Sequence, residues 1–456
     1  MNNFKKLNEN NQVLIKNAFG TFFLKGFGIV VSLMTMPAYI KYFHDQDVLG
    51  LWFTILSVLS WILTFDLGIG NGLRNYLVLA LVNKNYKEAR KYISSAYITI
   101  GIIVMILTLI GIFIFPFIEW NNIFKIDNNL INTKELNKAI LIVFIGIMLQ
   151  FILRLVIFIL YAMQKSFLNN LFSLLNNIIM LLCVNLTPET NISTKLIILS
   201  IINVISSNLP LLLVTIYIFK KDLKGCAPTL KVYSIESSKK ILNLGGIFFF
   251  IQIMYMLLTT TNEFLIIRLT DSKYVVDYQI YNRLFTLISI LFTLILTPVW
   301  SIVTKAITEK NYIWIKKLYE YLKFFSIIAM LLEFIIIIFL QNIIDVWLGD
   351  NSIIIDKKYA IIFAIYGSIF IWNGILSSIA NGMGKLKVQL ICFGLAVILK
   401  IPLSTIMIKI FDSWIGIIVS NILILVPYAC IQLIVLNNYL DKLEKGDKKC
   451  LKEKLY

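Results

Sequence analysis

Residues 66–90 read DLGIGNGLRNYLVLALVNKNYKEAR. A carboxylate, Asp66, stands inside an apolar run that reaches back to about residue 50. The run loosens through Gly68, Gly70 and Gly72, carries Arg74 two turns on, and ends in a polar, basic segment. A charge at that depth is expensive in hydrocarbon, so an intramembrane Asp followed by an Arg points to a partner or a water-filled cavity. Much of the remaining chain reads as walls and hinges around such a cavity.

The 456 residues are 59% hydrophobic and 15% charged, with a mean hydropathy of +0.84. Apolar runs of about 20 residues, the length that spans a bilayer core, recur from one end to the other. A soluble core of this length would alternate apolar and polar faces, and a membrane barrel would show short alternating segments. The expected fold class is therefore all-α and polytopic, with the lipid bilayer as a partner. The net charge of +17 fits cytoplasmic loops held by the positive-inside rule and implies no nucleic acid. Cys183, Cys226, Cys392, Cys430 and Cys450 are scattered singly and His44 is the sole histidine. Neither a metal site nor any other cofactor is expected from them. Walker A, H-x-x-x-H and G-x-S-x-G patterns are lacking, which leaves ATP drive and hydrolase chemistry unsupported and predicts that the chain is not an enzyme.

Twelve spans are read, near 13–40, 50–81, 93–118, 139–163, 168–186, 195–219, 241–268, 281–304, 319–344, 359–380, 388–410 and 413–436. With both termini cytoplasmic, the inner segments hold 25 Lys/Arg, whereas the outer segments hold nine, beside twelve Asp/Glu. That asymmetry fixes the expected orientation. A gapless shift of 226 residues lays Lys84-Asn85-Tyr86 on Lys310-Asn311-Tyr312, and Asn17, Gly20, Phe22 and Phe23 on Asn243, Gly246, Phe248 and Phe249. We read two pseudo-symmetric six-helix lobes, 1–219 and 241–436, joined by a basic loop at 220–240 and followed by a basic tail at 437–456. In such repeats the substrate site commonly lies where the halves meet, and rocking gives alternating access.

Lys25, Asp66, Arg74, Arg154, Glu333 and Lys400 lie deep within spans. Lys16, Arg268, Arg283 and Lys323 stand near span ends, where long cationic side chains snorkel to the interface. Asp66 could pair with Lys25. Beyond that pair, the deep positive charges outnumber Glu333, which suits an anionic passenger gripped by Lys25, Arg74, Arg154 and Lys400. Asp66 and Glu333 are the candidates for ion pairing or for coupling to H+ or Na+. Pro37, Pro210, Pro298, Pro402 and Pro427 are expected to kink their spans, and Gly68, Gly70 and Gly72 to let helices pack closely.

The stretch from Asp66 to Asn75, followed by the Lys-rich loop with Asn85-Tyr86 and Glu88-Ala89, resembles spans two and three of the Wzx-type polysaccharide flippases. Those proteins belong to the multidrug/oligosaccharidyl-lipid/polysaccharide (MOP) exporter superfamily. Thr297-Pro298-Val299-Trp300 with Lys305-Ala306, and Asn381-Gly382-Met383-Gly384-Lys385, resemble that family's eighth span and its loop between spans ten and eleven. The resemblance implies a MATE-like arrangement of two lobes in a bacterial inner membrane. It also implies a passenger, an undecaprenyl-diphosphate-linked O-antigen or capsule repeat unit moved from the cytoplasmic to the periplasmic leaflet, with a glycan polymerase and a chain-length regulator as partners. Two readings compete. A MATE-type cation-coupled drug or metabolite antiporter would share the fold but call for carboxylates in its cavity. A membrane glycan polymerase or ligase would present a large outer loop bearing arginines, and the outer loops here are short.

Overall fold

A computed structural model describes residues 68–121, 131–188, 190–271, 274–348 and 354–453, together with scattered positions between 12 and 63. The described chain is all-α apart from loops and two single 3₁₀ turns. In order the helices are α1 Ile69–Val82, α2 Tyr86–Ile114, α3 Thr133–Leu153, α4 Leu155–Ala162, α5 Phe167–Leu186, α6 Ile192–Lys220, α7 Ile235–Thr260, α8 Asn262–Leu269, α9 Tyr274–Thr308, α10 Tyr312–Leu348, α11 Lys357–Met383, α12 Lys387–Phe411 and α13 Gly416–Glu453. Among the described residues, ten helical segments are long and apolar enough to cross a membrane. They match the third to twelfth spans read from the sequence. The first expected span and the first half of the second fall largely outside the described residues.

Contacts divide the chain into one unit covering Ile15–Gly246 and another built on Ile247–Tyr456. In the N-terminal unit α1 packs on α2 and α4, and α3 packs on α2 and α6. Ile69, Leu73 and Leu77 on α1 and Ile93 and Ala96 on α2 are fully buried there. In the C-terminal unit α11 is surrounded by α9, α10 and α13, and α12 lies on α13. Large apolar side chains such as Phe113 and Ile338 are about three-quarters exposed, at 76% and 75%. Those faces suit lipid rather than water, because hydrocarbon imposes no cost on them.

The segment after α6 belongs to the N-terminal unit. Thr229 N–H donates to Ser94 Oγ at 3.1 Å and Ser234 N–H to Ser95 Oγ at 3.2 Å. Thr99 Oγ1 donates to Ser238 Oγ at 3.0 Å. These bonds strap the basic connection along α2.

Four helix-to-helix turns share one backbone geometry. Lys84, Gln164, Lys310 and Gly384 adopt left-handed φ values of 53°, 61°, 56° and 68°. In each turn the next residue's N–H donates five residues back: Asn85 to Ala80 O, Lys165 to Leu160 O, Asn311 to Ala306 O, and Lys385 to Ala380 O, at 2.8–2.9 Å. The left-handed residue itself donates three residues back, at 2.9–3.1 Å. This is the Schellman end, which satisfies carbonyls that a helix terminus would otherwise leave free. Two of the four turns are the Lys84-Asn85-Tyr86 and Lys310-Asn311-Tyr312 segments that the 226-residue shift superimposes.

Helix continuity is kept at the described prolines and lost elsewhere. Helices α6, α9, α12 and α13 run on through Pro210, Pro298, Pro402 and Pro427, and Pro37 lies outside the described residues. The interruptions come at Arg154, between α3 and α4, and at Thr261, between α7 and α8. The span read as continuous over 241–268 is thus broken. Thr259-Thr260-Thr261-Asn262 supplies three β-branched residues and an Asn, all of which compete poorly for helix. The Thr261 hydroxyl instead bonds Leu257 O at 2.7 Å.

Candidate functional site

The buried charges fall into two groups, one in each unit. In the N-terminal unit, α1 starts at Gly68, whose φ of 65° only glycine adopts readily. Close packing follows at once. A Cβ on Gly70 would stand 2.1 Å from the Phe158 ring of α4, and one on Gly72 would stand 2.4 Å from Ile241 O of α7. Gly70 and Gly72 therefore serve close helix approach, as expected.

That approach carries Arg74 into the interior, 2% exposed. Its guanidinium carbon lies 4.8 Å from the centre of the Tyr161 ring on α4, a cation–π arrangement strengthened by desolvation. Arg154 sits at the break between α3 and α4, and its Nη1 donates to Leu63 O at 2.8 Å. The structure thus brings Arg74 to an aromatic residue that sequence reading missed. Lys25 is half-buried in the same unit, and Asp66 lies outside the described residues.

Lys195, near the start of α6, is 4% exposed. Its ammonium donates to Tyr42 O at 2.8 Å, and Tyr42 Oη donates back to Lys195 O at 3.0 Å. The pair ties the start of α6 to the segment around residue 42.

In the C-terminal unit Glu333, on α10, is fully buried, and neither carboxylate oxygen accepts a hydrogen bond. It faces Gly367 of α11, where an added Cβ would come within 2.7 Å of Oε1. The absent side chain leaves the carboxylate its room. Ser289 of α9 donates to Gly367 O at 3.3 Å, with its hydroxyl in reach of the same carboxylate. A carboxylate so placed inside a membrane span suits a group that takes up and releases a cation.

Lys400, on α12, is 3% exposed. Its ammonium donates to Asn262 Oδ1 at 2.8 Å, to Leu258 O, and more weakly to Leu257 O at 3.4 Å. Asn421 Nδ2 of α13 donates to the same Asn262 Oδ1 at 2.9 Å, while Asn262 Nδ2 donates to Tyr278 Oη at 3.0 Å. Asn262 and Asn421 escaped the sequence reading, since an uncharged Asn in an apolar run leaves little signal. Glu263, beside Asn262, is instead hydrogen-bonded by Gln279. Among the described residues, no group of three His, Cys, Asp or Glu side chains is placed to hold a metal ion.

Comparison with known proteins gives the architecture a place. The crystal structure of a MATE protein in a straight conformation superposes with a TM-score of 0.73, covering 96% of this chain and 97% of that one at 15% identity. A Vibrio cholerae MATE transporter in its bent form gives 0.74 over 95% and 99% of the chains at 12% identity. A multidrug resistance MATE family transporter of the MOP superfamily, in an outward-facing conformation, gives 0.72 over 96% and 97% at 14% identity. The chain therefore has the all-α, polytopic MATE fold, and at these identities the likeness is one of fold. A family model described as MatE matches residues 248–406. Among curated proteins, a Yersinia pseudotuberculosis chain described provisionally as an O-antigen export protein is 23% identical over 367 residues. That alignment covers 74% of this chain and 76% of its own length.

Proposed function

We propose that this chain is an alternating-access exporter of the MATE type, coupled to a cation and carrying an anionic, lipid-linked saccharide. The transporter reading rests on the fold and on the MatE match over 248–406. Cation coupling, the MATE-type side of the proposal, has the broader support from known proteins. On the chain itself it is supported by Glu333, a buried carboxylate whose oxygens accept no hydrogen bond.

The observation that carries the anionic passenger is the burial of Arg74 within an apolar unit that also holds the half-buried Arg154 at the α3–α4 break. Guanidinium groups grip phosphate oxygens in pairs, and burial there is costly unless an anion or a π-face compensates. The Yersinia relative supports a saccharide headgroup. On this reading Arg74, Arg154 and Lys25 attract the diphosphate of an undecaprenyl-linked O-antigen or capsule unit, while Lys400 serves the C-terminal unit as argued below. The proposal includes a bacterial inner-membrane location with both termini cytoplasmic, lobes bounded by the 220–240 loop, and a glycan polymerase and chain-length regulator downstream.

A second reading is a drug or metabolite antiporter with an organic-cation passenger, and the MATE neighbours favour it over the saccharide. Cells lacking the gene separate the two. Complete lipid-linked repeat units accumulating on the cytoplasmic face, with surface polymer lost, support the saccharide. Normal surface glycan with new sensitivity to cationic drugs supports the antiporter and overturns the anionic passenger. Units that cross but stay unpolymerised would point to a polymerase and overturn both.

A further inference from the structure

The break between α7 and α8 exposes backbone carbonyls deep in a membrane-spanning segment. In an unbroken helix Leu257 O and Leu258 O would accept from the N–H groups of residues 261 and 262. The turn at Thr261 interrupts the helix where those bonds would form. The last carbonyls of α7 then form the negative end of a helix dipole in a low-dielectric setting. Half-helix ends of this kind gather cations in membrane transporters. Here the cation is covalently part of the chain. The Lys400 ammonium reaches across from α12 and meets Leu257 O, Leu258 O and Asn262 Oδ1, three acceptors for its three N–H donors. A neutral amine would turn a lone pair on one of those oxygens.

The surroundings hold the same sign. Asn262 and Asn421 are each 1% exposed, and Asn421 Oδ1 has no hydrogen-bond partner although its Nδ2 is bonded to Asn262 Oδ1. A further oxygen therefore lies one amide away from the three that hold the ammonium. Facing groups from the packed helices are the phenols Tyr278 of α9 and Tyr366 of α11. Glu263, the neighbouring acid, is engaged by Gln279.

We propose that the α7–α8 break is a site for a small monovalent cation, of the sodium class, that the chain has filled with its own Lys400 ammonium. The site depends on the C-terminal unit alone and stands whichever passenger is carried. A tethered ammonium cannot leave, so sodium does not enter the native protein here.

Removing the tether while leaving the oxygens in place turns the break into an exchangeable site. Wild type, Lys400→Ala and Lys400→Met are purified without sodium, and thermal unfolding is followed in sodium chloride against choline chloride at equal ionic strength. An ion that binds only the folded state raises the melting temperature with a saturating dependence on its concentration. Lys400→Ala is expected to show such a rise of several degrees. Wild type, with the site filled by ammonium, and Lys400→Met, with it filled by a thioether chain, are expected to stay flat. A sodium-dependent rise in wild type or in Lys400→Met would overturn the proposal, and so would a folded Lys400→Ala that ignores sodium. If Lys400→Ala is recovered only in sodium and unfolds on its removal, the site is shown by rescue. If it fails to fold in either salt while Lys400→Met folds, the proposal is overturned.

Discussion

Replacing Gly72 by Ala tests the closest helix approach in the N-terminal unit. The new Cβ would stand 2.4 Å from Ile241 O, 3.2 Å from Gly245 N and 3.3 Å from Ile241 C, all backbone atoms of α7. No rotamer change can relieve a clash with backbone, so α1 and α7 must separate by about 1 Å to reach ordinary contact near 3.4 Å. From the other side, a Cβ on Gly245 would meet Gly68 O at 2.7 Å, so the seam has no slack. A gap of 0.5–1 Å forfeits roughly a quarter to a half of each dispersion contact, and Ile69, Leu73 and Ile241 are all buried beside it. Overpacking costs about 1–3 kcal/mol, and the backbone obstacle places this case near 3. Alanine's better helix propensity returns about 1 kcal/mol. The expected net loss is about 2 kcal/mol, roughly a thirtyfold shift in the folding equilibrium. Thermal unfolding in detergent reads it, with Gly101→Ala and Gly246→Ala as controls, since a Cβ at either site meets nothing within 4 Å. Gly72→Ala as stable as those controls would refute the reasoning.

Glycine at Lys84, Gln164 or Lys310 should stabilise the protein by about 1 kcal/mol each, because each holds a left-handed φ that a side chain resists. Gly384→Ala should cost a similar amount in the same unfolding assay. Glu333→Gln should fold normally and lose the dependence of export on an imposed ion gradient, measured in vesicles; an unchanged dependence would remove Glu333 from coupling. Burial pushes the Cys226 thiol up, so a water-soluble maleimide should label it at neutral pH more slowly than a free thiol, and at the ordinary rate once the chain is unfolded.

The spans from α2 to α13 were legible because a bilayer demands long apolar runs, and composition alone records them. The glycines of 68–72 were legible for a similar reason, as small residues in a span have few uses. The depth of Arg74, Glu333 and Lys400 was readable, whereas their surroundings were not. Tyr161 comes to Arg74 from another helix, and Asn262 meets Lys400 across 138 positions of sequence. The described prolines each remove one bond from a helix that runs on through them, a loss that neighbouring helices can make good. The run of threonines before Asn262 gave way instead. The Schellman turns were hidden because three of the four left-handed positions are Lys or Gln, where composition leads one to look for Gly.

Those turns also bear on how the chain enters its membrane. Each leaves about three residues between consecutive helices, too few for one helix to insert while its neighbour waits in water. In the proposed orientation a pair such as α1 and α2 enters together as a hairpin, with the lysines of its turn held on the side where synthesis occurs. With the proposed two-lobe division, the two matching turns, at Lys84 and Lys310, place such a hairpin at the same stage of each half, so that assembly of the second half repeats the order of the first.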